Sequence, residues 1–330
     1  MHTEPKTEKF KTMIGGQALI EGIMMRGPKV DVIAIRGKEG IQLETTPRKM
    51  RSKKSILSWP FIRGAVNFFD SQVCGVKALM RSADLSPDEE EPAVSKFDMW
   101  LEKKLGDKKF QSYLIGSAVA LGLGMSIVLF FMLPNLIGSL FDVVVNNNFV
   151  RNLIEGLIRI AIFFSYMLIV SRMKEMKRVF SYHGAEHKTI RCYEAGEPLT
   201  VENVRKMSRK HPRCGTSFLF VVLFLSILVF SIASSALLTA FPVLETMRGK
   251  FSYTLIMLAY KLLLLPVVVS FSYEINRLVG KYDNWFTRIL TIPGMWFQNF
   301  TTNEPDDDMI EVGIAALQAV LPEKEGEDLW

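Results

Sequence analysis

The chain has 330 residues, 49% of them hydrophobic, with a mean hydropathy of +0.19 and a formal net charge of +6. A soluble chain of this length would form about two domains, but here the apolar residues gather into long runs after Gln111, which argues against soluble cores. The positive charge is concentrated in particular loops, so it reports sidedness and attraction to anionic lipid headgroups rather than nucleic-acid binding.

Met1 to Thr12 is polar and has no signal-peptide character. Lys11 to Glu44 is the one β-like stretch. Val30 to Ile35 is rich in Val and Ile, Arg36 to Gly40 reads as a turn, and Ile41 to Glu44 alternates, so a hairpin is expected over residues 30–44. Before it, the glycines of Ile14-Gly-Gly-Gln-Ala-Leu-Ile-Glu-Gly22 permit close backbone approach. Arg48 to Lys54 is a basic linker. Residues 56–80 have helical periodicity, with Phe61, Ala65, Phe68, Phe69, Val76, Leu79 and Met80 on one side. This predicts an interfacial helix on the inner leaflet; a helix packed within a cytoplasmic domain is the competing reading. Ser82 to Pro92 is an acidic linker, and residues 1–110 form a cytoplasmic amino-terminal region.

Four runs follow, in residues 111–141, 154–171, 218–240 and 253–273. A bilayer span needs about 20 apolar residues. With no water in the bilayer core, each run must satisfy its own backbone, which requires helices. Lys and Arg set the orientation. The segment before the first run is basic, and Arg172 to Arg213 holds eleven such residues. The two opposite loops hold only Arg151 in one and Arg248 and Lys250 in the other. Both termini and the central loop are therefore expected in the cytoplasm, with the chain in the cell membrane. The expected fold class is a polytopic α-helical membrane protein of about four transmembrane helices, with a small cytoplasmic α+β portion.

Gly116, Ala120 and Gly124 recur at a spacing of four, a pattern that suits close helix contact. Glu155 and Arg159 form an i,i+4 pair. Lys261 lies inside the fourth run, where an ionisable side chain is a functional-site candidate; bonding to carbonyls or reaching outward is the plainer alternative. Residues 274–330 are expected to carry an interfacial segment from Asn284 to Phe300, with Trp285 and Trp296. A final helix follows, with acids at its start and an Ile310, Ile314, Leu317 and Leu321 stripe that must dock on the cytoplasmic portion.

The candidate chemistry lies in the His-rich loop, residues 172–217. His183 and His187 are four apart, so on a helix they share a face and can grip one metal ion. Glu186 completes an H-x-x-E-H pattern, the inverted zinc-protease motif, in which the imidazoles hold zinc and the glutamate handles protons. His211 is the expected third ligand, with Cys214 an alternative and Glu194, Glu197 and Glu202 also in reach. A helix from Val201 to Lys210, capped by Thr200, separates them from the pair. Gly184 works against this reading because glycine weakens a helix. A Cys–His nucleophile built on Cys214 is a competing enzyme reading. Cys74, Cys192 and Cys214 are expected to be reduced thiols, and no Walker or Rossmann glycine motif is present.

Ile14-Gly-Gly-Gln-Ala-Leu-Ile-Glu-Gly-Ile-Met-Met-Arg26, Tyr182-His-Gly-Ala-Glu-His-Lys188, Leu199-Thr-Val-Glu-Asn203 and His211-Pro-Arg-Cys-Gly-Thr-Ser217 resemble the YqhQ family of bacterial membrane proteins. The resemblance covers nearly the whole chain from Ile14. It implies a family described as uncharacterised or as metal-dependent enzymes. It also adds Gln17, Glu21 and Arg26 to the same polar site, near which Cys214 is already expected from the clustering of the histidines. Two functions are therefore expected to compete. One is a membrane hydrolase that uses a divalent metal such as zinc on a membrane-associated substrate, with Glu186 catalytic. The other is a non-catalytic factor that assists assembly or translocation of a membrane-protein partner.

Overall fold

The computed structural model describes residues 8–48, 52, 55–86, 107–140, 147–248, 250–282, 284–324 and 326–329. The basic linker at 48–54 lies largely outside them; of the acidic linker expected over Ser82 to Pro92, residues 82–85 instead continue a helix, because Ser82 is buried and bonds to Leu79 O, and the part from residue 87 lies outside the described residues. The described chain forms two compact units. One draws on stretches within Met1–Pro87, Met167–Leu225 and Pro266–Trp330, the other on stretches within Asp88–Tyr166 and Ser226–Leu265.

The first unit holds a four-stranded antiparallel meander, β1 (Gly15–Leu19), β2 (Gly22–Arg26), β3 (Val30–Gly37) and β4 (Gly40–Pro47), in the order β1-β2-β3-β4. The expected hairpin is β3–β4, paired from Val30↔Pro47 to Gly37↔Gly40. Sequence reading missed β1 and β2, because Gly15, Gly16 and Gly22 dilute their β-branched signal. The β1–β2 turn places Glu21 at φ 52. At Gly16, a Cβ would meet the Met24 carbonyl oxygen at 2.7 Å and Glu186 Cδ at 2.9 Å, so glycine here is the condition for seating β1 on a helix.

That helix is α5 (Lys174–Glu194). The core forms where one sheet face meets α5 and the last helix, α10 (Asp307–Val320). Ile23, Met25, Val32 and Ala34 of the sheet pack with Tyr182, Ala185 and Ile190 of α5 and with Val312, Ala316 and Leu317 of α10. Ile23, Val32 and Leu317 are fully buried, each contributing about 1.5–3 kcal/mol by leaving water. The carboxy-terminal stripe docks as expected, Ile310 and Leu317 being inaccessible.

Helix α1 (Ile62–Leu85) follows a 3-10 turn at Ile56–Ser58. Small residues face inward: Gly75 lies against Gln17, and Ala78 packs with Leu19 and Met24. Phe61, Ile62, Phe69, Val73, Val76 and Leu79 remain exposed. The helix thus docks on the sheet through one side and leaves an apolar face uncovered.

Four helical stretches among the described residues are long and apolar enough to cross a membrane. The first, Gly116–Ser139, runs from α2 (Asp107–Ile127) through a π-helical turn at Val128–Met132 into α3 (Leu133–Ser139). The others are α4 (Asn148–Val170), α7 (Gly215–Ala240) and α8 (Phe251–Lys281). The Gly116/Gly124 pattern makes no close contact: a Cβ at either glycine would meet nothing described within 4 Å.

In the second unit, Glu155, Arg159 and Lys261 form one buried cluster. Lys261 Nζ donates to Glu155 Oε1 at 2.5 Å and Oε2 at 2.7 Å, and Arg159 reaches Oε1 at 2.9 Å. The expected Glu155–Arg159 pair is present. Lys261 neither reaches outward nor settles on carbonyls, because a carboxylate four residues before Arg159 is a stronger partner in an apolar setting.

Candidate metal centre

Helix α5 positions the site. It runs unbroken through Gly184, contrary to the doubt that glycine raises, because packing outweighs propensity. A Cβ at Gly184 would overlap the Asn303 carbonyl oxygen. The chain after α9 (Trp285–Thr301) crosses α5 at this point: Asn303 N–H donates to Phe180 O at 2.8 Å and Asn303 Nδ2 to Lys177 O at 3.0 Å.

His183 and His187 therefore project from one helical face, with ring centroids 4.3 Å apart. His183 Nδ1 lies 2.8 Å from the Thr301 carbonyl oxygen, and His187 Nδ1 lies 2.6 Å from that of Arg209. A carbonyl only accepts, so each ring carries its proton on Nδ1 and presents the Nε2 lone pair. His183 Nε2 lies 3.2 Å from Cys214 Sγ. His187 Nε2 is buried with no hydrogen-bond partner and has the Cys214 sulfur beside it. Burial drives the His187 pKa down to about 4, keeping the ring neutral. For Cys214, burial pushes the thiol up. The His187 ring and two hydrogen bonds from Thr216 outweigh that, leaving it below the ordinary thiol value.

One donor atom from each of His183, His187 and Cys214 lies within 4.8 Å of the others. Glu186, one residue before His187, is buried with them. Its Oε1 accepts the Gly16 N–H at 2.9 Å, while Oε2 is buried without a partner. Burial, aided by the Cys214 charge and opposed by His183 and the Gly16 N–H, raises its pKa to about 7.

His211 sits beside this set, its ring 5.6 Å from that of His187, but both its nitrogens are engaged. Nε2 lies 3.2 Å from Glu194 Oε2, and Nδ1 accepts the Arg213 N–H at 3.3 Å. Its backbone N–H and carbonyl are both clamped by the Gln298 side chain at 2.8 Å. The expected third ligand thus lies one layer out, and the residue whose donor atom joins the two imidazoles is Cys214. The intervening helix is only α6 (Val201–Arg205), with Thr200 capping Asn203 N at 3.3 Å. The irregular, turning chain after it returns His211 to α5.

Glu194 is fully buried, binding Arg213, the Thr12 N–H at 2.9 Å and His211. Burial raises its carboxyl, opposed by Arg213. Gln17, Glu21 and Arg26 lie against other groups. Gln17 lies against Gly75. Glu21 pairs with Arg178 and accepts Tyr182 OH at 3.2 Å. Arg26 contacts Asp31 at 3.4 Å and Ser71 at 2.9 Å. Of the glycine-rich segment that holds Gln17 and Glu21, it is Gly16 that touches the site, through its N–H. Thr301, Arg209 and Gln298 also escape sequence reading, because two of them act through backbone carbonyls and the third through a long-range amide clamp.

The family described as "Protein of unknown function (DUF1385)" matches residues 59–323. The chain belongs to this family. It is 32% identical over 320 residues to the "Uncharacterized protein YqhQ" of Bacillus subtilis (strain 168), covering 95% of this chain and 93% of that one. No solved structure matches.

Proposed function

We propose that the chain spans the cell membrane four times with both termini in the cytoplasm. On this reading His183, His187 and Cys214 hold a divalent metal, zinc by donor chemistry, for hydrolysis of a membrane-associated substrate. The observation that carries the reading is a pair of buried, unpartnered atoms, His187 Nε2 and Glu186 Oε2, beside a thiol. Leaving such atoms unpaired costs about 1–3 kcal/mol each, a cost that a bound ion and water remove.

The donor set fits the ion. Tetrahedral zinc takes imidazole nitrogen at about 2.0–2.1 Å and thiolate at about 2.3 Å, and three protein donors leave a fourth position open. Carbonyls behind both imidazoles fix the tautomer and orientation that ligation needs. A thiolate–imidazole set with a non-ligating glutamate as proton carrier recurs in zinc deaminases. A bound divalent ion supplies Lewis acidity that makes water a stronger acid. Glu186 then takes the proton on Oε2, held in place by the Gly16 N–H on Oε1, and returns it to the leaving group. The exposed apolar face of α1 and the exposed Trp285 and Trp296 of α9 favour a substrate at a bilayer surface.

The 3.2 Å contact between His183 Nε2 and Cys214 Sγ favours a second reading, in which Cys214 is a nucleophile and His183 its base. Metal analysis of purified protein separates the two. The hydrolase reading expects about one zinc per chain in wild type and in Glu186→Gln, and none in His187→Ala. Glu186→Gln should fail to complement a deletion. Metal-free wild type that depends on Cys214 would favour the nucleophile. Full complementation by Glu186→Gln would leave the assembly factor.

A further inference from the structure

We infer a second site, separate from the metal centre, that binds the phosphate of an anionic lipid headgroup. A cavity of about 460 Å³ opens where the amino-terminal segment, the loop before α7, the end of α8 and the first turns of α9 meet. Four cations line it, Lys9, Lys11, Arg213 and Arg288, against one acid, Glu8. Backbone bonds fix the amino-terminal wall: Lys9 N–H donates to Glu194 O at 2.8 Å, and Phe10 stacks edge-on against Tyr193 at 5.0 Å. These contacts fix the backbone of the wall, which brings Lys9 and Lys11 to the cavity.

Arg213 gives the second observation. Its side chain is 9% exposed and its terminal nitrogens are taken by Glu194 and by Glu8 at 3.3 Å, so the guanidinium is fixed in the cavity wall. It stands there with Lys9, Lys11 and Arg288, and a phosphate is the anion that several such cations fit. The volume lies in the range of small-ligand pockets.

The surroundings select a lipid. The cavity sits where the apolar helix α8 ends at Lys281, and Tyr282, Trp285, Phe286 and Ile289 beside it are exposed. Aromatic rings beside a basic pocket at the end of a span suit the headgroup level, with acyl chains lying along them. None of the three metal donors lines the cavity, so the site stands whether or not zinc binds.

The test uses the full chain in nanodiscs of phosphatidylcholine with a minor fraction of phosphatidic acid, retained lipid being counted by native mass spectrometry. Wild type should retain phosphatidic acid selectively. Lys11→Gln/Arg288→Gln should weaken retention about fivefold for each cation removed. Lys38→Gln, on the exposed β3–β4 turn, should leave retention unchanged. Thr291→Trp fills the cavity and keeps every charge, and it should also abolish retention. If the double variant does not fold, Lys11→Gln alone carries the comparison. Zinc content should be unchanged throughout. Equal retention by wild type and the cavity variants overturns the site. Binding of millimolar inorganic phosphate with no lipid retention would make the ligand a soluble phosphate and overturn the lipid assignment.

Discussion

Replacing Gly184 by alanine sets two physical effects against each other. Helix propensity alone predicts that alanine stabilises α5 by about 1 kcal/mol. The structure predicts the opposite sign, because the new methyl group overlaps the Asn303 carbonyl oxygen. If the crossing segment stays in place, overpacking costs about 1–3 kcal/mol. If it moves away, the Asn303 bonds to Phe180 O and Lys177 O are lost, at about 1 kcal/mol each. After subtracting the propensity gain, overpacking at the middle of its range and the loss of the two bonds each leave a net loss of about 1 kcal/mol. At about 2–4 °C per kcal/mol for a unit of this size, the melting midpoint should fall by roughly 2–4 °C in a tryptophan-fluorescence melt. The segment also carries Thr301 O, which orients His183 at 2.8 Å. Losing such a partner costs about 10–100-fold in metal affinity, readable by competition with a zinc chelator. A variant that melts at or above wild type with unchanged zinc affinity refutes the reasoning.

Cys214 should resist iodoacetamide in metal-loaded protein and react after chelation; equal reactivity in both states removes it from the ligand set. Lys261→Met leaves Glu155 with Arg159 and the Asn135 amide at 3.5 Å and should destabilise by about 3 kcal/mol, the low end for a broken buried pair. Adding Glu155→Gln should recover part of that loss in the same melt, and a double variant worse than the single one contradicts the pairing. In a cysteine-free background, a cysteine at Asn147 should react with an impermeant label outside intact cells and one at Glu197 should not; the reverse pattern inverts the topology.

Much was legible in the sequence because it depends on local pattern. Four apolar runs become four long helices because hydropathy and length act residue by residue. The i,i+4 spacing of His183 and His187 becomes a shared face once α5 forms, and the Ile310 to Leu321 stripe shows that the last helix needs a partner. Other features depend on residues far apart in the chain. Strands β1 and β2 exist because their glycines let the backbone lie against α5 and β3, a gain that intrinsic propensity does not register. Gly184 sits mid-helix because a carbonyl more than a hundred residues away fills the space of its missing side chain. Cys214 rather than His211 lies with His183 and His187 because Glu194, Arg213 and Gln298 hold His211 in the layer behind, and a hydrogen-bond competition of this kind is settled only when all four groups are brought together. Lys261 found Glu155 for the same reason: in an apolar interior a charge is settled by whichever opposite charge folding places beside it, and spacing along the chain carries no record of that.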